Sequence, residues 1–313
     1  MTALRSGSPA GTPPGPPDVG VPVHDVLTAP PPRRPRRTGT RTGVLLFVAR
    51  HSLAIALSAM FLAPVFFLIL TSFMTAHQSL TSNLWPTSWH PENYVAVFSK
   101  TPLPKYLLNT AIYAVLATVF MLLSSVPAAY ALSKLRWRGR NLTFLAIICM
   151  MMLPPQVTTV PLYLMWANWG LTGSLWPLIL PMLLGDAFSI FLLRLFLMTV
   201  PDEYLDAARV DGCGEWATLL RVVLPMAKPG IAATAMFQFF YAWNDYYGPL
   251  LYTSENESAW TLSLGLASFR TLHAVQWNLL TAATLLTMVP IVIVFFFAQK
   301  AFVQGVTLTG VKG

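Results

Sequence analysis

The stretch Tyr106–Leu132, YLLNTAIYAVLATVFMLLSSVPAAYAL, runs for 27 residues without a charged side chain. A helix needs about 20 consecutive apolar residues to cross the hydrocarbon core of a bilayer. Five other apolar runs reach that length: Ser52–Met74, Leu142–Trp166, Leu175–Met198, Ile231–Tyr252 and Leu279–Phe302. The runs lack the alternation of apolar and polar residues that marks a transmembrane β-strand. The sequence therefore predicts an all-α polytopic membrane protein with six transmembrane helices.

The overall composition agrees with this prediction. Of the 313 residues, 55% are hydrophobic and 10% are charged, and the mean hydropathy is +0.58. A soluble domain is about a quarter charged, so the composition excludes an ordinary soluble enzyme. The two cysteines, Cys149 in an apolar run and Cys213 in a polar loop, do not form a disulfide framework pattern. We expect no metal site, because no Cys/His cluster has metal-ligand spacing.

The first 43 residues differ from the rest of the chain. They hold ten of the 26 prolines and the arginines Arg33, Arg34, Arg36, Arg37 and Arg41. A segment of this composition cannot bury an apolar core. We therefore expect residues 1–43 to form a disordered cytoplasmic tail and residues 44–313 to form the membrane domain.

The basic residues indicate how the helices are oriented. If the N-terminus lies inside, only three of the 20 lysines and arginines, Lys100, Lys105 and Arg270, fall in outside segments. Cytoplasmic loops carry an excess of Lys and Arg, so we expect both termini in the cytoplasm, below a bacterial-type plasma membrane. The same distribution explains the net charge of +8 through membrane lipid and topology, without a nucleic-acid partner.

One long loop, residues 199–229, is expected in the cytoplasm and contains clear signals for where helices begin and end. Its sequence is TVPDEYLDAARVDGCGEWATLLRVVLPMAKP. Thr199 is a candidate N-cap, with Pro201 in the first turn of a short helix. Asp211-Gly212 predicts a break, because glycine accepts the left-handed backbone that ends a helix. A second short helix is expected over Glu215–Val223, ended by Leu224-Pro225.

Within this loop, the pattern Asp206-Ala207-Ala208-x3-Gly212-x11-Leu224-Pro225 closely resembles the EAA loop of ABC importer permeases. Further matches to that family are Asn109-Thr110, Ala128–Leu132, Leu153-Pro154, Phe191–Arg194 and Trp243–Asp245. The C-terminal Gly305–Gly313 resembles the tail of the maltose-type carbohydrate permeases. One departure is Asp206, which replaces the usual glutamate and shortens the side chain by one methylene.

The resemblance implies a transport subunit with no catalytic residues, which moves a sugar or an oligosaccharide by alternating access. Its implied partners are a second permease subunit, two cytoplasmic ABC ATPase subunits that bind the ATP, and an extracytoplasmic solute-binding protein. Consistently, the sequence lacks a G-x-x-x-x-G-K-[ST] phosphate loop. The implied coupling residues that dock on the ATPase are Glu203, Leu205, Asp206, Ala207, Ala208, Asp211, Gly212, Leu224 and Pro225.

Polar residues inside the apolar runs suggest where the solute passes. Asp186 lies near the middle of the fourth run, and Asp245 lies within the fifth. A carboxylate inside a bilayer is costly and tends to face a cavity or a partner. With Trp243, Asn244 and Tyr246, these residues form a hypothetical solute pathway. The alternative is that they bond to neighbouring helices or to the second permease. An ion-coupled secondary transporter is the competing function, since such proteins also place acidic residues within the membrane.

The predicted topology can be tested by cysteine labelling. Single cysteines placed at Ser82 and Ser258 should react with a membrane-impermeant thiol reagent added outside intact cells, because both positions fall in outside loops. A cysteine at Arg138 should react only after the membrane is opened. Labelling of the Arg138 position from outside would contradict the six-helix topology.

Overall fold

The computed structural model describes residues 40–270 and 275–310, and most of this part of the chain is helical. Fourteen α-helices occur in it: α1 Thr40–Ser72, α2 Glu92–Lys100, α3 Leu103–Ser133, α4 Arg140–Met151, α5 Pro155–Asn168, α6 Trp176–Ile179, α7 Ala187–Met198, α8 Asp202–Val210, α9 Glu215–Thr218, α10 Leu224–Met226, α11 Lys228–Asn244, α12 Tyr247–Thr253, α13 Leu262–Ala267 and α14 Trp277–Gly310. The all-α prediction is confirmed.

The N-terminal region is a separate unit that ends at Met60, and the second unit begins at Phe61. Helix α1 starts at Thr40, so the last four residues of the predicted tail are helical. The remainder of that tail lies outside the described residues. Along the first unit's part of α1, apolar side chains such as Leu45 and Ile55 are more than two-thirds exposed, as expected of a helix that faces lipid.

Three described helical segments are long and apolar enough to cross a membrane without a break: Val44–Ser72, Leu103–Ser133 and Trp277–Phe297. Three further candidates are pairs of helices joined at a bend, so the described residues provide up to six crossings. The third predicted run is one such pair. Its halves, α4 and α5, meet at 92°, because Pro154 and Pro155 cannot continue the hydrogen-bond ladder of α4.

The fourth and fifth predicted runs are also broken. The fourth changes direction by 40° between Leu184 and Ala187, so Asp186 lies at a helix start and not inside a continuous helix. The fifth was expected over Ile231–Tyr252. Instead α11 begins at Lys228, after an 82° bend from the preceding helical segment, and ends at Asn244, where Asp245 is extended.

Helix α3 is central to the second unit, where it packs against α7 and α11. One buried cluster surrounds its first half and includes Tyr106, Tyr113 and Trp243. A second cluster surrounds its other end and joins Val126 of α3 to Leu193 of α7. The predicted cytoplasmic loop is part of this second cluster, so it folds against the membrane helices.

A close approach between α7 and α11 occurs at Gly230. A Cβ atom added there would lie 2.4 Å from Cγ and 2.7 Å from Cβ of Phe196. Phe196 is itself 6% exposed and has little room to move. The absence of a side chain at Gly230 thus allows the two helices on either side of the loop to touch.

We therefore expect Gly230→Ala to destabilise the protein by about 1–3 kcal/mol, the usual cost of overpacking a closely packed site. The midpoint of thermal unfolding in detergent should fall. The matched control is Gly214→Ala, since a Cβ atom at Gly214 would meet no atom within 4 Å. Equal midpoints for the two variants would contradict the close approach.

Candidate functional site

The loop between α7 and α11 begins with helix α8. Asp202 and Glu203 occupy its first turn and Arg209 its last, an arrangement that matches the helix dipole. The predicted N-cap is wrong: Thr199 is the C-cap of α7, and its hydroxyl donates to the Phe196 carbonyl at 2.7 Å. The residue at the N-cap of α8 is Pro201, which makes no side-chain cap.

Helix α8 ends at the predicted glycine break. Gly212 has φ of +81°, its N–H donates to the Arg209 carbonyl at 3.0 Å, and the Cys213 N–H donates to the Ala208 carbonyl at 2.9 Å. These two bonds form a Schellman motif, which requires a left-handed residue at this position. The interpretation of Asp211-Gly212 as a helix end is therefore confirmed.

The second half of the loop is more continuous than expected. After α9, residues Leu219–Val223 form a π-helical turn in which the Leu224 N–H donates to the Leu219 carbonyl. The helix then continues through Pro225 to Met226, so the predicted end at Leu224-Pro225 is wrong. The wider π turn changes the hydrogen-bond register just before the proline, and the chain bends only afterwards, at Ala227.

The nine predicted coupling residues divide into buried and accessible groups. Leu205 is 2% exposed and Ala208 is 6% exposed, and Leu205 belongs to the cluster around the end of α3. Leu224 is half-buried. The exposed members are Glu203, Asp206, Ala207, Asp211, Gly212 and Pro225. Leu205 and Ala208 thus attach α8 to the membrane domain, while the exposed members leave one face of α8 accessible.

A chain of polar contacts joins α8 to α3. Arg209 donates to Asp206 Oδ1 at 3.0 Å and to Glu215 Oε1 at 3.2 Å. The second oxygen of Glu215 accepts a hydrogen bond of 2.6 Å from the Tyr130 hydroxyl. Tyr130, Arg209 and Glu215 were not among the predicted site residues. No local sequence pattern indicates this contact, because Tyr130 and Glu215 lie 85 residues apart.

The start of α8 is held by a second contact. Lys134, immediately after α3, donates to Asp202 Oδ1 at 2.7 Å and to the Val200 carbonyl. The ammonium group of Lys134 holds the pKa of the Asp202 carboxyl below its usual value. Since the Lys134 side chain is only 5% exposed, this contact fixes where α8 begins relative to the end of α3.

The structure separates the residues of the predicted solute pathway. Asp245 accepts hydrogen bonds from the Tyr113 hydroxyl at 2.9 Å and from the Gly248 N–H at 3.0 Å, so both of its carboxylate oxygens bind within the protein. Trp243 is 8% exposed and belongs to the buried cluster that includes Tyr113 of α3. The geometry therefore supports a role in packing between helices for both Asp245 and Trp243.

The other predicted pathway residues lie elsewhere. Asn244 is exposed and donates to the Phe240 carbonyl at 2.8 Å, and Tyr246 is 44% exposed. Asp186 is the N-cap of α7, where its Oδ2 accepts from the Ser189 N–H at 2.7 Å. It lines a cavity of about 620 Å³ between α7 and α11 that includes none of the other four.

The sequence of the chain matches a known protein family. Residues 121–308 match the family described as "Binding-protein-dependent transport system inner membrane component". The arabinooligosaccharides transport system permease protein AraQ of Halalkalibacterium halodurans is 31% identical, over 80% of this chain and 91% of AraQ. The sn-glycerol-3-phosphate transport system permease protein UgpE of Yersinia pestis is 37% identical, over 71% of this chain and 79% of UgpE.

The fold matches a solved structure as well. A chain from the crystal structure of a bacterial ABC transporter involved in the import of the acidic polysaccharide alginate superposes with a TM-score of 0.72 at 22% identity, over 85% of this chain and 99% of that one. The resemblance noted in the sequence is thereby confirmed. The chain belongs to the binding-protein-dependent transport system inner membrane components, the multi-pass permease subunits of ABC importers.

Proposed function

We propose that this permease imports a sugar or an oligosaccharide, with α8 as the helix that couples transport to ATP hydrolysis. The observation that carries the proposal is the double attachment of α8 to the end of α3. Lys134 binds Asp202 at the start of α8, and at its end Arg209 binds Glu215, which in turn accepts from Tyr130. The AraQ relative is named for arabinooligosaccharides, which supports the solute class. The family assignment leaves the ion-coupled alternative without support.

In this proposal the chain pairs with a second, different permease above two cytoplasmic ATPase subunits, and an extracytoplasmic binding protein delivers the solute. ATP is bound by the ATPase subunits, so the chain itself needs no cofactor. Both termini lie in the cytoplasm, which puts the 199–229 loop on the same side as the ATPases, as the basic residues require.

The accessible face of α8 has the chemistry of a docking surface. Glu203, Ala207 and Val210 follow one another at helical spacing, and Val210 is 87% exposed. An apolar side chain this exposed on a cytoplasmic helix gains free energy when a partner covers it. The small Ala207 in the middle lets the partner's backbone approach closely. The charge of Glu203 at one edge of this face would orient the partner on α8.

Motion of α8 reaches the transmembrane helices through packed side chains. Leu205 is enclosed by the cluster that contains Val126 of α3 and Leu193 of α7, and packed interiors transmit displacement because they do not compress easily. Helix α7 leads directly into α8, and α11 follows the loop. Closure of the ATPase dimer would therefore move α7 and α11 together with α8, which changes the access to the cavity between them.

The solute class is tested with the reconstituted complex. Stimulation of ATP hydrolysis should be measured in proteoliposomes that contain both permeases, the ATPases and the binding protein. We expect stimulation by an oligosaccharide from a panel that includes arabino-oligosaccharides and maltodextrins, and none by amino acids. Stimulation by amino acids alone would overturn the sugar proposal while leaving the family assignment intact.

Gly212→Val should abolish solute uptake at unchanged membrane abundance. A Cβ atom added at Gly212 would meet no atom within 4 Å, so the effect comes from the left-handed backbone, which a β-branched residue adopts at a cost of about 1–3 kcal/mol. A cost of that size corresponds to docking weakened by about 5- to 150-fold. Co-purification of the ATPase should fall in parallel.

The matched control for this variant is Gly214→Val. Gly214 lies two residues on, with φ of −70° and open space around it, so we expect near-normal uptake and ATPase recovery. Parent-like transport by Gly212→Val would remove the coupling role of the loop.

Tyr130→Phe tests the attachment of α8 without changing its docking face. Loss of the hydroxyl removes the 2.6 Å bond to Glu215, which costs about 1 kcal/mol. We expect ATPase recovery to stay normal and the solute transported per ATP hydrolysed to fall in proteoliposomes. The control is Tyr163→Phe, which removes the same atom from α5. An unchanged transport ratio in Tyr130→Phe would show that the contact does not transmit motion.

A further inference from the structure

The cavity between α7 and α11 is lined by polar side chains whose hydrogen-bonding capacity the fold leaves partly unused. Gln238 is 8% exposed and lines this cavity. Its amide nitrogen lies 3.6 Å from the sulfur of Met182, a weak acceptor, and its oxygen has no hydrogen-bond partner among the described residues. Although most of the side chain is buried, this oxygen is open to the cavity, since among the described residues the one fully buried side-chain atom without a hydrogen bond is Asn278 Oδ1. Gln238 is therefore placed to bind something that enters the cavity.

Two other polar groups line the same space. Asp186 binds the Ser189 N–H through Oδ2, and within the described part of the chain Oδ1 accepts no hydrogen bond. The Tyr241 hydroxyl likewise forms no hydrogen bond with a described residue, and the Tyr241 side chain is 64% exposed. The cavity thus offers amide, carboxylate and phenol groups from two helices.

Aromatic rings form much of the remaining cavity wall. The rings of Phe188 and Phe237 meet edge to face at 6.0 Å, and Phe240 also lines the cavity. Aromatic walls with a few placed polar groups are typical of small-molecule sites, and the volume of about 620 Å³ falls within their range of about 300–1,000 Å³.

The charged group that lines the cavity is negative. Asp186 is the single ionisable carboxylate among the described lining residues, and none of those residues is Lys or Arg. An anion in this space would meet a carboxylate without a compensating cation, which is unfavourable at low dielectric. Hydroxyl groups, by contrast, can donate to Asp186 and Gln238 and accept from the Gln238 amide.

We infer that this cavity is a passage site for a neutral polyhydroxylated solute and that Asp186 excludes anionic solutes from it. The inference rests on the proposed function for the direction of transport, but it assigns the solute contacts to Asp186, Gln238 and Tyr241. It also separates this chain from the relative named for sn-glycerol-3-phosphate, because a phosphate ester carries the charge that this cavity disfavours.

The cavity is tested by cysteine accessibility in the assembled complex, held in nanodiscs so that both membrane faces are open to reagents. The background is Cys149→Ser with Cys213→Ser, which removes both native thiols. Gln238→Cys should react with a cationic and an anionic methanethiosulfonate reagent, with the cationic one faster by about tenfold. Adding Asp186→Asn should abolish that preference.

The matched control is Thr234→Cys, one helical turn earlier on α11 and 0% exposed, which should react with neither reagent. Tyr241→Cys serves as the second cavity variant if Gln238→Cys does not assemble. An inert thiol in the cavity variant, or equal rates with both reagents, would overturn the inference. Because labelling needs no solute, this outcome is distinct from a failure of the sugar panel.

A transport measurement completes the test. In the background protein with both native cysteines replaced by serine, excess sn-glycerol 3-phosphate should not stimulate ATP hydrolysis, whereas a neutral oligosaccharide should. Gln238→Ala should raise the solute concentration needed for half-maximal uptake by about tenfold. Equal stimulation by the phosphate ester and the neutral sugar would overturn the anion exclusion.

Discussion

The burial of Leu205 is the contact on which the arrangement of the 199–229 loop depends. This side chain of α8 is 2% exposed within a cluster that also contains Val126, Leu193 and Val223. Full burial of a leucine contributes about 1.5–3 kcal/mol, and it orients α8 so that Ala207 and Val210 face outward. A connector of this length without such an anchor would move independently of the membrane helices.

Breaks in the transmembrane helices are the second constraint. A helix end inside the bilayer leaves N–H groups that water cannot satisfy. Two carboxylates solve this locally: Asp186 accepts from the Ser189 N–H at the start of α7, and Asp245 accepts from the Gly248 N–H at the start of α12. The break before α7 also places Asp186 at the wall of the cavity, so one residue both caps a helix and lines the space between α7 and α11.

Much of the architecture could be predicted from local patterns. The long apolar runs predicted a membrane protein, because the thickness of the bilayer sets a minimum helix length that can be counted along the sequence. Gly212 gave the end of α8, since only its backbone suits a Schellman motif. The predictions for Thr199, for Pro225 and for a continuous fifth helix were wrong, because each depended on how neighbouring turns pack and not on the residue alone.

By itself, the sequence determined the helical membrane fold, the helix end at Gly212 within the 199–229 loop, and the family. These features depend on hydrophobicity and backbone preference over one or two turns. Only the tertiary structure decided which polar residues meet. Tyr130 and Glu215 are 85 residues apart and Tyr113 and Asp245 are 132 apart, while Gln238 lines a cavity whose walls come from both α7 and α11. Contacts of this kind follow from how whole helices pack, and no local pattern encodes them.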